Sequence, residues 1–101
     1  MTVRFVEPAE EELDHAIRWY GAQTRGLGEA FLMEVIAAAR RIERFPEAWH
    51  PLGDGMRRCR LRRFPYGLIY LVKDGDVIVL AVAHLHRRPD YWRQRSGLKP
   101  G

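Results

Sequence analysis

The stretch YGLIYLVKDGDVIVLAVAH, Tyr66 to His84, decides the fold. Apolar and β-branched residues fill Tyr66 to Lys73 and again Val77 to His84. The Asp74, Gly75 and Asp76 between them are the residues a tight β-hairpin turn demands. Upstream, Met56 to Phe64 reads as a third strand leading into this hairpin, which makes the C-terminal half a β-meander. Further toward the N-terminus the apolar period changes from 2 to 3.6. Leu27, Phe31, Val35, Ala38, Ile42 and Phe45 recur at steps of four and three, an amphipathic helix with Arg40, Arg41 and Arg44 in its last turns and Pro46 as its stop. Ala9, Leu13, Ala16, Ile17 and Tyr20 mark an earlier helix, with Pro8 in its first turn and Glu10, Glu11 and Glu12 at the positive end of its dipole. Gly26 and Gly28 interrupt the pattern, so the two helices form an antiparallel hairpin.

Thr2 to Val6 adds a short N-terminal strand. Pro46 to Gly55, rich in Pro and Gly, reads as a loop. The segment from Pro89 onward reads as a short helix or extended tail, frayed over residues 96–101. The element order predicts an α+β, two-layer β-αα-βββ domain spanning residues 1–101. The sheet is mostly antiparallel, the helical hairpin covers one face, and the other face is open.

A chain of 101 residues holds one domain, and 47% hydrophobic residues exclude intrinsic disorder. Cys59 stands alone, which excludes an internal disulfide and any multi-cysteine zinc site. The N-terminus lacks the apolar run of a signal peptide, and the stretch Val77 to Ala83 is too short for a bilayer. The expectation is a cytoplasmic protein with no membrane association. Charge is uneven: residues 1–50 hold six Arg against nine Asp or Glu, and residues 51–101 hold eleven Lys or Arg against four Asp, within a net charge of +4. The basic half predicts an anionic partner, either nucleic acid or an acidic protein segment.

Alternation along the Met56 to Phe64 strand puts Arg58, Arg60 and Arg62 on one face and Cys59 and Leu61 on the other. Like charges two residues apart repel, so three guanidiniums in a row point to anion recognition, with an exposed edge strand protected by charge against aggregation as the alternative. His84, His86, Arg87, Arg88, Tyr91 and Trp92 form the chemically richest stretch. Cleavage of RNA through its 2′-hydroxyl needs a base, an acid and positive charge on the developing phosphorane, roles open to His84, His86, Tyr91 and the arginines. Structural or partner-contact roles for the same histidines remain open. His84 and His86 lack further ligands apart from Asp90, so neither metal nor other cofactor is implied. Among the aromatic residues, Tyr20 and Trp49 belong to core or rim, while Tyr91 and Trp92 are candidates for stacking on a ligand. The arginine stripe and the His84 to Trp92 segment are expected to meet at one end of the open sheet face.

The chain resembles the RelE/ParE superfamily of type II toxin–antitoxin toxins. The resemblance rests on the pattern Ala9, Glu12, Leu13, Ala16, Trp19, Tyr20; on Leu27, Gly28, Phe31, Val35; on RFPYGLIY from Arg63 to Tyr70; and on AVAHLHRRPDYW from Ala81 to Trp92. It implies the same β-αα-βββ fold and a co-encoded acidic antitoxin that wraps the toxin into a hetero-oligomer. RelE-like members are mRNA endoribonucleases acting on the ribosome, and ParE-like members inhibit DNA gyrase without catalysis. RFPY, together with His84, Arg87, Pro89, Tyr91 and Trp92, is similar to the ParE and plasmid-stabilisation side. On that side Arg58, Arg60, Arg62, Arg87, Arg88 and Trp92 would bind the target. On the ribonuclease side, kept as the alternative, His84, His86 and Tyr91 would be catalytic. A non-toxic nucleic-acid-binding module is the third reading.

Overall fold

The computed structural model describes Met1–Gly101. Strand β1 (Val3–Phe5) leads into helix α1 (Glu7–Gln23), α2 (Leu27–Arg44) and strands β2 (His50–Gly53), β3 (Met56–Arg60), β4 (Tyr66–Lys73) and β5 (Asp76–His84), and a 3-10 turn covers Arg93–Gly97. The sheet order is β1-β5-β4-β3-β2, with β1 parallel to β5 and every other pair antiparallel. This is the expected α+β architecture with its helical hairpin on one sheet face.

Pro8 and the acidic Glu7 and Glu10 open α1. The helices approach most closely at Gly28, where a Cβ would stand 2.5 Å from the Ile17 carbonyl oxygen, so no larger residue fits. The stripes read from sequence enter the core: Ala9, Ala16, Phe31, Val35, Ala38 and Ile42 are buried against the sheet. Phe45 does not. It caps α2 with φ −140°, outside the helix period, and is 58% exposed. Tyr20, Phe31, Phe64 and Tyr66 form an aromatic cluster between hairpin and sheet, with ring centroids 4.8–6.1 Å apart.

Four sequence expectations are corrected. The Pro46 to Gly55 loop contains strand β2, paired with β3 through His50↔Arg58 and Pro51↔Arg57. Its turn, Gly53–Asp54–Gly55, has positive φ at all three residues, the backbone of a tight hairpin. The Met56 to Phe64 strand ends at Arg60, because Glu34 of α2 accepts from the Arg62 and Arg63 N–H groups (2.8 and 3.4 Å) and bends the chain off the sheet. The second sheet face is covered over β5, which is buried from Val77 to Ala83 and hence on both faces, while Arg60 on the same face of β3 stays exposed. The chain after β5 folds back, burying Trp92 and bridging Pro100 to Val6, with Gly101 N–H donating to the Phe5 carbonyl at 3.2 Å. Residues 96–101, expected to fray, thus lie along the sheet.

Where the short edge strands β1 and β2 leave stretches of β5 and β3 uncovered, side chains bond the backbone instead. β1 and Val6 cover β5 only as far as Val79. Beyond it Glu12 accepts from Val82 N–H at 3.1 Å and Arg95 donates to the Leu80 carbonyl at 3.0 Å. On β3, past the end of β2, Arg41 donates to the Arg60 carbonyl at 3.2 Å. Such plugs leave few backbone groups open to edge-to-edge association.

Candidate functional site

The end of β5 and the segment after it meet β3 around a small recess. Arg58, Ile69, Ala83, Arg87, Arg88 and Trp92 line it together with His84 and Tyr91. Arg58 comes from the second face of β3, opposite Ile69. Its stem lies over Gly67, where a Cβ would be 3.0 Å from Arg58 Cγ, so the glycine makes room for the arginine. Arg58 Nε is enclosed without a hydrogen-bond partner. Trp92, 6% exposed, forms part of the floor, with the Arg93 guanidinium 5.0 Å above its ring. The recess measures about 70 Å³, well below the roughly 300 Å³ at which ligand pockets begin. It therefore shapes a surface and does not enclose a nucleotide.

That surface is cationic. No carboxylate lies within ion-pair distance of Arg58, Arg60, Arg62 or Arg88. Arg58 and Arg60 share the second face of β3, while Arg62 sits past the bend. The expected single site is assembled only in part: Arg58 joins Arg87, Arg88, Tyr91 and Trp92, but Arg60, Arg62 and His86 do not line the recess. The Arg41 and Arg62 charges instead reach Cys59. Burial pushes that thiol up, and the two guanidiniums only partly offset the shift.

Of the three candidate proton-transfer groups, His84 and His86 are neighbours and Tyr91 is tied to α1. His84 pairs with Tyr66 across the sheet on the helical side, its ring edge-on to Tyr66 at 5.0 Å, and its Nδ1 accepts from the His86 N–H at 3.1 Å. His86 is exposed, its ring 5.4 Å from that of His84. The Tyr91 hydroxyl donates to Glu12 Oε2 at 2.8 Å. Burial, then the bond to Glu12, raises its pKa well above that of a free phenol. The carboxylate of Asp90, which might have joined the histidines around a metal, is bound by Arg93 Nε at 2.9 Å.

In the sequence Glu12 stands as one charge in the first turns of a helix and as one position of the family pattern. It is the hub of the site. Besides Tyr91 and Val82 it accepts from Arg95 Nη1 at 2.9 Å and lies 3.7 Å from Arg87 Nη1. The Arg87 and Arg95 guanidiniums also lie over the Tyr91 ring, 4.4 and 5.0 Å from its centroid. One half-buried carboxylate thus positions the segment that carries Arg87, Arg88 and Trp92. Its signal in the sequence was a glutamate one helical turn from Ala9 and Ala16, on the inward side of α1.

A family described as the ParE toxin of type II toxin–antitoxin systems, parDE, matches residues 3–91. No curated protein sequence matches the chain. Among solved structures, a chain from the chromosomal ParDE toxin–antitoxin system of P. aeruginosa is similar in fold. Its TM-score is 0.70 at 19% identity, over 84% of this chain and 96% of that one. No helix is long and apolar enough to cross a membrane.

Proposed function

The chain belongs to the ParE toxin family of type II toxin–antitoxin systems, and on that premise we propose that it arrests growth by binding an essential enzyme and not by cutting RNA. The target by family resemblance is DNA gyrase, and a co-encoded acidic antitoxin neutralises the toxin. The observation that carries this reading is the Tyr91 hydroxyl bonded to Glu12. A ribonuclease would need that hydroxyl or a histidine facing the arginines with its proton free to move. Here Tyr91 is bonded to Glu12, and His84, though it borders the recess, has its Nδ1 taken by the His86 N–H. What remains available to a partner is positive charge on a shaped surface: Arg58, Arg60, Arg87 and Arg88, with Trp92 fixing the segment beneath them. Arg62 contributes charge from beyond the bend. An antitoxin segment rich in Asp and Glu that folds on binding complements such a surface.

The test is induced expression in bacteria with transcript integrity and plasmid supercoiling followed in parallel. Loss of negative supercoiling and a DNA-damage response with intact messenger RNA support binding to gyrase. Rapid transcript cleavage within ribosome-bound messages overturns the proposal in favour of the endoribonuclease.

A further inference from the structure

The chain has fifteen arginines and only two lysines, and both lysines, Lys73 and Lys99, line one recess of about 370 Å³. It lies between the β4–β5 turn and the returning C-terminal segment, and shares no lining residue with the recess around Arg58. Leu71, Ile78 and Leu98 give it an apolar floor. Its wall carries Arg4, Lys73, Lys99, Asp74 and Asp76. Asp76 is already engaged: Oδ1 accepts from the Thr2 N–H at 3.1 Å and Oδ2 lies 3.6 Å from Arg4 Nε, which neutralises Arg4. Neither lysine has a carboxylate within ion-pair distance, and Asp74 makes no ion pair. One net positive charge, carried by two unpaired ammonium groups, therefore borders an apolar floor. The far wall is held in place by the Val6–Pro100 bridge and by Leu98 N–H donating to the Arg95 carbonyl at 2.9 Å.

We propose that this recess binds a small organic monoanion with a short apolar body, of the size of a carboxylate with about six carbons. The body lies on Leu71, Ile78 and Leu98, and the carboxylate accepts from Lys73 and Lys99. Lysine suits this head group because an ammonium acts as a compact point charge with rotatable donors. Two sources present this chemistry: a free carboxylic acid, and the terminal carboxylate of a peptide that ends in an apolar residue.

The test is a titration of the isotope-labelled full chain with hexanoate, followed by backbone amide resonances, beside hexanol and beside an acetylated dipeptide ending in leucine as free acid and as amide. Hexanoate should shift the amides of Leu71, Lys73, Ile78 and Lys99 saturably, and hexanol should bind at least about fivefold more weakly. A Lys73→Gln/Lys99→Gln variant with an otherwise unchanged spectrum should lose about fivefold or more of the hexanoate affinity. Tighter binding of the leucine free acid than of hexanoate, with no binding of the amide, identifies a chain terminus as the source; the reverse order identifies a free acid. Equal binding of hexanol, hexanoate affinity unchanged in the double variant, or unsaturable shifts spread over the arginine-rich surface would overturn the proposal.

Discussion

Arg95 Nη1 stands 2.9 Å from Glu12 Oε1 and, through the same nitrogen, 3.0 Å from the Leu80 carbonyl oxygen. The pair joins the first helix to the last turn of the chain, 83 residues apart in sequence, across the uncovered edge of β5. Arg95 and Glu12 are only 18% and 14% exposed, so the pair is poorly screened and each member depends on the other.

Removing one partner should therefore cost far more than a surface ion pair. Glu12→Ala leaves the Tyr91 hydroxyl and the Val82 N–H without an acceptor and the Arg95 guanidinium without its carboxylate, and should lower stability by about 3 kcal/mol. Arg63→Ala, whose ion pair with Glu34 is largely exposed on the arginine side, should cost under about 1 kcal/mol. Urea denaturation of the two variants checks the order. Equal losses would mean that Glu12 is not the hub described.

The helix crossing makes a paired prediction at two glycines. Gly28→Ala drives a methyl group into the Ile17 carbonyl and should destabilise by about 1–3 kcal/mol. Gly21, exposed in α1 with nothing within 4 Å of where its Cβ would stand, should gain about 0.5–1 kcal/mol on change to Ala. Thermal unfolding should move the two midpoints in opposite directions, and movement in the same direction would contradict the crossing geometry.

All four tyrosines are shifted upward by burial, Tyr70 to about 12 and Tyr91 further still. The Tyr70 hydroxyl also donates to the Pro46 carbonyl. A group whose folded pKa lies above its unfolded value of 10.0 holds its proton more tightly in the native state. The associated stability is present below pH 10 and falls as pH rises from there toward 12. Tyrosinate absorbance of the native protein should lag the denatured chain throughout this window, with stability declining in step. Superimposable native and denatured titration curves would contradict the burial of these rings.

How far the sequence could be read depended on whether a residue's partner was local. The DGD turn at Asp74 to Asp76 and the helical stripes carry their information within a few residues, and apart from Phe45 they folded as read. The GDG turn at Gly53 to Gly55 has the same chemistry, but Pro51 and the density of breakers disguised β2 as a loop. Arg62 left the strand pattern because of Glu34, 28 residues away. Covering of the second sheet face depended on the return of the chain after β5, which buries Trp92 beside Arg58 and Ile69 and bridges Pro100 to Val6 at the other end of the chain. At the site, the residue types were visible while their engagements were not: Tyr91 looked free for chemistry until Glu12 was found to hold it.

The most direct measurement of whether this toxin fold acts by binding is growth inhibition by His86→Gln and Arg88→Ala at matched folded expression, with ribosome co-sedimentation alongside. His86 and Arg88 are both exposed, so both variants should keep the fold. His86→Gln should remain as toxic as the parent, and Arg88→Ala should lose about tenfold in potency, as expected for a contact worth roughly 1.4 kcal/mol at an interface. A His86→Gln protein that still sediments with ribosomes yet has lost all toxicity, beside an Arg88→Ala protein of full potency, would contradict inhibition by binding.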